Sequence, residues 1–209
     1  MEATKREFII NNLMVEDFIE CEANMIYLEE TEDTGRSRLD FKVMSDKNLV
    51  IKNVDKQKTE LLFFRKEKEF SMFKRVDHII FENLSGNNWR LHLIEMKSNV
   101  LVKRWSEIKG KFRASYLVAQ GIAAMLEMNL VETCMYTTYE KVNLTPPDTM
   151  PAGRRLPLGE NHIKPKEEWE SGKVLLNFNK KIDFSHNPIQ MLRNEEGILT
   201  GGWECKNLK

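Results

Sequence analysis

Apolar residues Met14, Phe18, Cys21, Met25 and Leu28 recur at intervals of 4, 3, 4 and 3, flanked by a second stripe of Val15, Ile19 and Ile26. That spacing predicts an amphipathic helix over residues 8–30, with Glu22 on the flanking stripe and Glu16 and Glu20 facing water. ETEDTGRSR (30–38) follows as a polar connection. LDFKVM and LVIKNV alternate around SDKN and read as a hairpin, and ELLFF (60–64) as a further strand. Residues 72–82 and 89–97 predict two more strands, and 102–128 return to helical spacing through Trp105, Ile108, Phe112, Ala119, Ile122 and Leu126. VETCMYTTYEKV, β-branched and aromatic, reads as a strand. The strong elements run helix, three strands, long helix, strand.

After Val142 the pattern breaks. Five of the six prolines fall in 143–168, so residues 143–209 predict an irregular extension packed on a core of residues 1–142, with VLLNFNKKIDF as one further strand. The expected fold class is α/β (α+β), a central mixed sheet flanked by helices.

The hairpin at 73–100 carries charges where its apolar neighbours predict burial. Gly86, in the turn signal NLSGNN, lies nine residues after Asp77 and nine before Glu95. A symmetric loop would set the two acids opposite each other, on strands about 4.8 Å apart, unless a bulge shifted the register. Glu95 and Lys97 are two apart and share that face, whereas His78 and His92 point to the other. Like carboxylates in a half-buried place repel unless something positive neutralises them. Lys97 supplies one charge, and a magnesium or manganese ion, which favours oxygen ligands, would supply the rest. Asp77, Glu95 and Lys97 are the candidate catalytic residues, and Asp77 and Glu95, with Met96, the candidate metal group. Such a set suits phosphodiester hydrolysis, in which Lys97 would orient and help deprotonate a water or stabilise charge on phosphate oxygens.

Asp77 followed eighteen residues on by Glu95-Met96-Lys97, within this element order, resembles the PD-(D/E)xK nuclease superfamily, the restriction-endonuclease-like fold with its αβββαβ core. The resemblance covers residues 8–142. It implies that Asp77 and Glu95 bind magnesium or manganese, that Lys97 assists the nucleophile, and that a first-helix glutamate, by position Glu22, joins the metal. The chain departs from the pattern in having Val76 where proline often precedes the aspartate. It also has Tyr116-x-x-x-Gln120, the reverse of the Gln-x-x-x-Tyr order of the RecB-like branch. An acidic residue two before a lysine occurs four times: at Asp40, Glu95, Glu107 and Glu204. Only Glu95 combines an apolar strand, an opposed acid and a basic helix after it. The plainer alternative for these charges is a surface salt-bridge ladder.

Charge sharpens the picture locally. The chain is neutral overall, with 32 basic and 32 acidic residues, so no global field favours nucleic acid or membrane. Yet residues 97–113 hold six basic residues and one acid, and Lys109, Arg113, Tyr116 and Gln120 form a polar helical stripe suited to a phosphate backbone. Three separated cysteines, no leader-like N-terminus and a longest uncharged helical run of 13 residues, ASYLVAQGIAAML, predict a cytoplasmic protein without a membrane partner. The expectation is a metal-dependent nuclease acting on DNA rather than RNA, in defence or repair, with a homodimer as one arrangement. The alternatives are an RNA-cleaving nuclease and a non-catalytic nucleic-acid-binding scaffold of the same fold.

Overall fold

The computed structural model describes residues 5–13, 19–21, 23–32, 35–55, 71–145 and 164–205. In chain order these form α1 (Lys5–Leu13), β1 (Ile19–Cys21), β2 (Met25–Glu32), β3 (Gly35–Lys42), β4 (Asn48–Ile51), β5 (His78–Ser85), β6 (Asn88–Glu95) and β7 (Asn99–Leu101). The chain continues as α2 (Val102–Met125), β8 (Asn129–Tyr139), β9 (Lys141–Asn143), α3 (Pro165–Glu170), β10 (Lys173–Asn177), β11 (Lys181–Gln190), β12 (Leu192–Arg193) and β13 (Leu199–Glu204). The architecture is mixed α and β, broadly α+β, with more strand than helix.

Seven strands make one mixed sheet in the order β1-β4-β5-β6-β8-β11-β10. Its centre is the antiparallel meander β4-β5-β6, continued through α2 into β8, which lies parallel to β6. A second sheet, β12-β13-β3-β2, covers one face, and β7 pairs with β9 in a short parallel ladder.

Period-two alternation divides the buried side chains between two cores. Odd positions of the central hairpin, Ile79, Phe81, Leu91 and Leu93, pack with Trp105, Ile108, Phe112, Ala119 and Ala123 of α2. Even positions, Ile80, Ile94 and Met96, pack with Leu28, Leu39 and Phe41 of the second sheet. The long helix therefore lies on one face of the large sheet and the small sheet on the other.

Several expectations change. Residues 8–30 do not form one helix: α1 ends at Leu13, and residues 25–32 are a strand. In β2, Ile26, Leu28 and Glu30 are buried while Tyr27, Glu29 and Thr31 are exposed, a period of two that the wider apolar spacing imitated as helical. Within the stretch 30–38, residues 30–32 and 35–38 are not a loose connection but paired ends of β2 and β3. LDFKVM and LVIKNV do not pair, because β3 joins the second sheet and β4 the first. Residues 60–64 lie outside the described residues. VLLNFNKKIDF spans two antiparallel strands, and beyond the boundary placed at 143 the described residues 164–205 are regular structure. β11 lies parallel to β8, and β13 lies parallel to β3. No helix among the described residues is long and apolar enough to cross a membrane.

Candidate active site

The hairpin that carries the charges has the register expected from its sequence. His78 pairs with Ile94, Ile80 with His92 and Glu82 with Arg90, each pair summing to the same number, and the only irregularity falls beside the turn, between Asn83 and Ser85. Gly86 takes φ +55° there, a left-handed conformation that costs glycine little. One step beyond the His78–Ile94 pair, the same register sets Asp77 against Glu95.

Asp77 is positioned from two sides. Its Oδ2 accepts the Met96 N–H at 2.5 Å. The preceding N–H, that of Val76, donates to Ser115 Oγ of α2 at 2.9 Å. Valine in place of the often-found proline thus keeps a donor that ties this corner to the helix. Lys97 is anchored through its backbone, its N–H donating to Thr138 Oγ1 at 2.9 Å.

The three predicted residues come together. Lys97 Nζ lies 3.0 Å from Glu95 Oε1 and 3.7 Å from Asp77 Oδ2, and donates to the Met96 carbonyl at 2.6 Å. Both carboxylates are buried, Glu95 completely and Asp77 to 2% exposure. The site also holds two residues that the sequence did not disclose. Lys111, from α2, sits 2.7 Å from Glu95 Oε1 and 3.6 Å from Asp77 Oδ1. Glu30, from β2, approaches Lys97 to 3.9 Å. Lys111 flanks the apolar stripe of its helix on the side away from Lys109 and Arg113, and Glu30 was assigned to a connection, so neither carried a signal of its own.

The electrostatics follow from this crowding. Burial, reinforced by the neighbouring Asp77, pushes Glu95 up to about 7, against the pull of Lys97 and Lys111. Burial works to strip the proton from Lys97, but Glu95, Asp77 and Glu30 outweigh it and raise its pKa. Lys111 is raised in the same way by Glu95 and Asp77. Both lysines are therefore firmly cationic. The carboxylates around the Lys97 ammonium favour its charged form, which counts against a role in taking a proton from water.

Asp77 and Glu95 thus share the two ammonium groups, and Lys97 divides its charge further with Glu30. Among the described residues, Asp77 Oδ1 and Glu95 Oε2 are buried without a hydrogen-bond partner. Unsatisfied buried carboxylate oxygens are costly, and a cation bound beside them relieves that cost. Asp77, Glu95 and the Met96 carbonyl are oxygen donors of the kind magnesium takes, while the Met96 side chain is excluded, being buried in the second core. Glu22 lies outside the described residues. Among the described residues, no group of three or more His, Cys, Asp or Glu converges closely enough to hold a metal ion.

The other acid-x-Lys triplets are accounted for by partners. Lys42 pairs with Glu204 at 2.7 Å on the second sheet, so two of the rivals neutralise each other. Glu107 pairs with Arg104 and Lys109 with Glu168. The nucleic-acid stripe is likewise divided. Lys109 is held at 2.9 Å by Glu168, which also accepts from Trp105 Nε1 and the Leu175 N–H. The Tyr116 ring packs on Phe178 and Phe184, its hydroxyl accepting from Gln120. Arg113 borders a separate cavity with Lys74 and Lys109. The four residues thus do not join the carboxylate cluster.

His92 points to the opposite face, as expected. It joins Glu82 at 2.9 Å and the Tyr136 hydroxyl at 3.0 Å, while Glu82 also pairs with Arg90 and accepts the Met44 and Ser45 N–H groups. Burial lowers the His92 pKa despite Glu82. This is a satisfied network tying the two sheets together.

A cleft of about 340 Å³ opens over the site, lined by Lys97, Lys111 and Glu30 together with Arg36, Arg104 and Arg193. Its walls come from the second sheet, from the chain that leaves β6 at residues 96–99, and from α2. In comparison with known proteins, no family model, no curated protein and no solved structure matches the chain.

Proposed function

We propose that the protein is a metal-dependent nuclease with a restriction-endonuclease-like core, hydrolysing DNA phosphodiesters. The observation that carries this reading is the buried pair Asp77 and Glu95, with oxygens that lack hydrogen-bond partners among the described residues, bracketed by two ammonium groups beneath a basic cleft. The meander β4-β5-β6, the helix α2 and the parallel β8 support the fold assignment.

Asp77, Glu95 and the Met96 carbonyl would hold magnesium or manganese, which when bound polarises a phosphoryl oxygen and acidifies a water. Lys97 and Lys111 draw the anionic phosphate toward the carboxylates and offset the charge that grows on its oxygens. In the reaction, water oxygen bonds to phosphorus, the phosphorus–oxygen bond to the leaving nucleotide breaks, and that oxygen takes up a proton. Lys97, held protonated, suits charge stabilisation better than proton abstraction.

A second reading has a specific observation in its favour. Lys97 and Lys111 already compensate two of the three carboxylates, as a structural network in a non-catalytic nucleic-acid-binding scaffold would require.

Incubation of the protein with plasmid, single-stranded DNA and RNA, in magnesium, manganese or chelator, separates the readings. Metal-dependent cleavage that disappears in Asp77→Asn and Glu95→Gln supports the enzyme. Absence of cutting in either metal, or cutting that survives Glu95→Gln, rejects it; cutting of RNA alone transfers the assignment to RNA.

A further inference from the structure

The cations around the cleft are not equivalent. Lys97 and Lys111 are committed to Glu95 and Asp77. Arg193 is gripped by Glu140 through Nε and Nη2 at 2.9 and 2.8 Å, and its Nη1 donates to the Gly197 carbonyl. Two arginines remain. Arg36, exposed on the β2–β3 hairpin, has no ion pair among the described residues. Arg104, in the first turn of α2, meets Glu107 at 3.2 Å, with both side chains about half exposed. An exposed pair of that kind contributes little and exchanges readily for a phosphate.

These arginines stand on two different walls of one cleft, above the two lysines that contact the buried acids. Lys109, by contrast, is fixed to the 3% exposed side chain of Glu168 and cannot leave it without stranding a buried carboxylate. Free positive charge therefore faces the cleft, not the outer stripe of the helix.

We propose that the cleft between the sheets is a phosphate-binding track for one strand of a polynucleotide, with Arg36 and Arg104 holding phosphates next to the one delivered to Asp77 and Glu95. The inference rests on the nuclease reading for the fate of that central phosphate. It assigns to the small second sheet a role in gripping substrate.

The test uses a labelled single-stranded oligonucleotide and its duplex in chelator, with binding followed by fluorescence anisotropy over a salt series. Arg36→Ala and Arg104→Ala are each expected to weaken binding about tenfold, as for loss of one charge-assisted contact. Each should also flatten the logarithmic salt slope by about 0.7 for the single strand. Lys109→Ala, checked for folding by circular dichroism, is expected to leave the slope unchanged. In metal, the arginine variants should raise KM and spare kcat.

An unchanged slope and KM in both arginine variants, alongside normal cleavage, overturns the track and leaves the nuclease standing. Loss of binding in both variants with no cleavage by the parent protein retains the track and overturns the nuclease. No binding of either nucleic acid, or weakening by Lys109→Ala alone, also overturns the track.

Discussion

Lys111 Nζ and Glu95 Oε1 lie 2.7 Å apart, joining the long helix to the end of the central hairpin through a carboxylate that solvent does not reach. Deleting one partner of such a pair leaves the other charge buried and poorly compensated. Lys111→Ala is therefore expected to destabilise the protein by about 2 kcal/mol at pH 8, the penalty being moderated by the remaining Lys97. The cost should shrink at pH 5, where Glu95 can take up a proton. Urea unfolding at the two pH values checks this, and a cost that does not vary with pH would contradict it.

Glu95 itself is expected to oppose stability and serve activity. Its folded pKa of about 7 lies above that of an unfolded glutamate, so the native state binds more protons between the two values. Stability then falls as pH rises from about 4.5 through 7. In chelator, Glu95→Gln should remove this slope and gain on the order of 2 kcal/mol at pH 8. The same substitution should abolish cleavage. Titration of unfolding midpoints against pH, beside a cleavage assay, reads both arms.

The site was legible where its geometry is local. Asp77 and Glu95 could be paired from sequence because a short symmetric turn fixes register, and the bulge between Asn83 and Ser85 sits too close to the turn to disturb the pairs beyond it. The odd and even alternation then placed His92 on the opposite face. What the sequence hid is non-local. Leu199–Glu204 pairs in parallel with Ser37–Lys42 across most of the chain, and no pattern within either segment names its partner. Glu30 was missed for a local reason: Met25 and Leu28 fit a helical period, whereas the strand over the same residues buries every second one. Lys111 was missed because helical spacing identifies a face but not the carboxylate it will meet.

A bound divalent ion should stabilise the folded protein through the same carboxylates. Ion at a hundredfold excess over its dissociation constant adds about 2.7 kcal/mol, visible as a rise in Tm. Magnesium or manganese is expected to raise the Tm of the parent protein, chelator to reverse the rise, and Asp77→Asn to lose it. Equal rises in parent and variant would place the ion elsewhere.

His186 makes an opposite prediction about acid. It is 1% exposed, its Nε2 meets Thr137 Oγ1 at 3.0 Å, and Trp105, Trp169 and Phe112 surround its ring. Burial lowers its pKa to about 3, so between that value and about 6.5 the unfolded chain binds the extra proton. Its contribution is full above about pH 6.5 and declines by up to about 1.4 kcal/mol per unit as pH falls toward 3. His186→Gln should flatten this decline between pH 6 and 4, measured by urea midpoints. A variant with the same acid dependence as the parent would exclude His186 as its source.

Glu168 tests whether Lys109 belongs to the framework. Its side chain is 3% exposed and accepts from Trp105 Nε1, Lys109 Nζ and the Leu175 N–H, so α2, α3 and β10 meet at one carboxylate. Glu168→Ala strands three donors and removes the counter-charge of Lys109, and should cost about 3 kcal/mol. Lys109→Ala takes the cation from this buried carboxylate but leaves it two neutral donors, so a smaller cost of about 2 kcal/mol is expected. In the double variant the losses should fall short of their sum, since each single change already breaks the shared contact. Additive losses in a thermodynamic cycle would show that Lys109 and Glu168 act independently, freeing the lysine for the nucleic-acid stripe first expected of it.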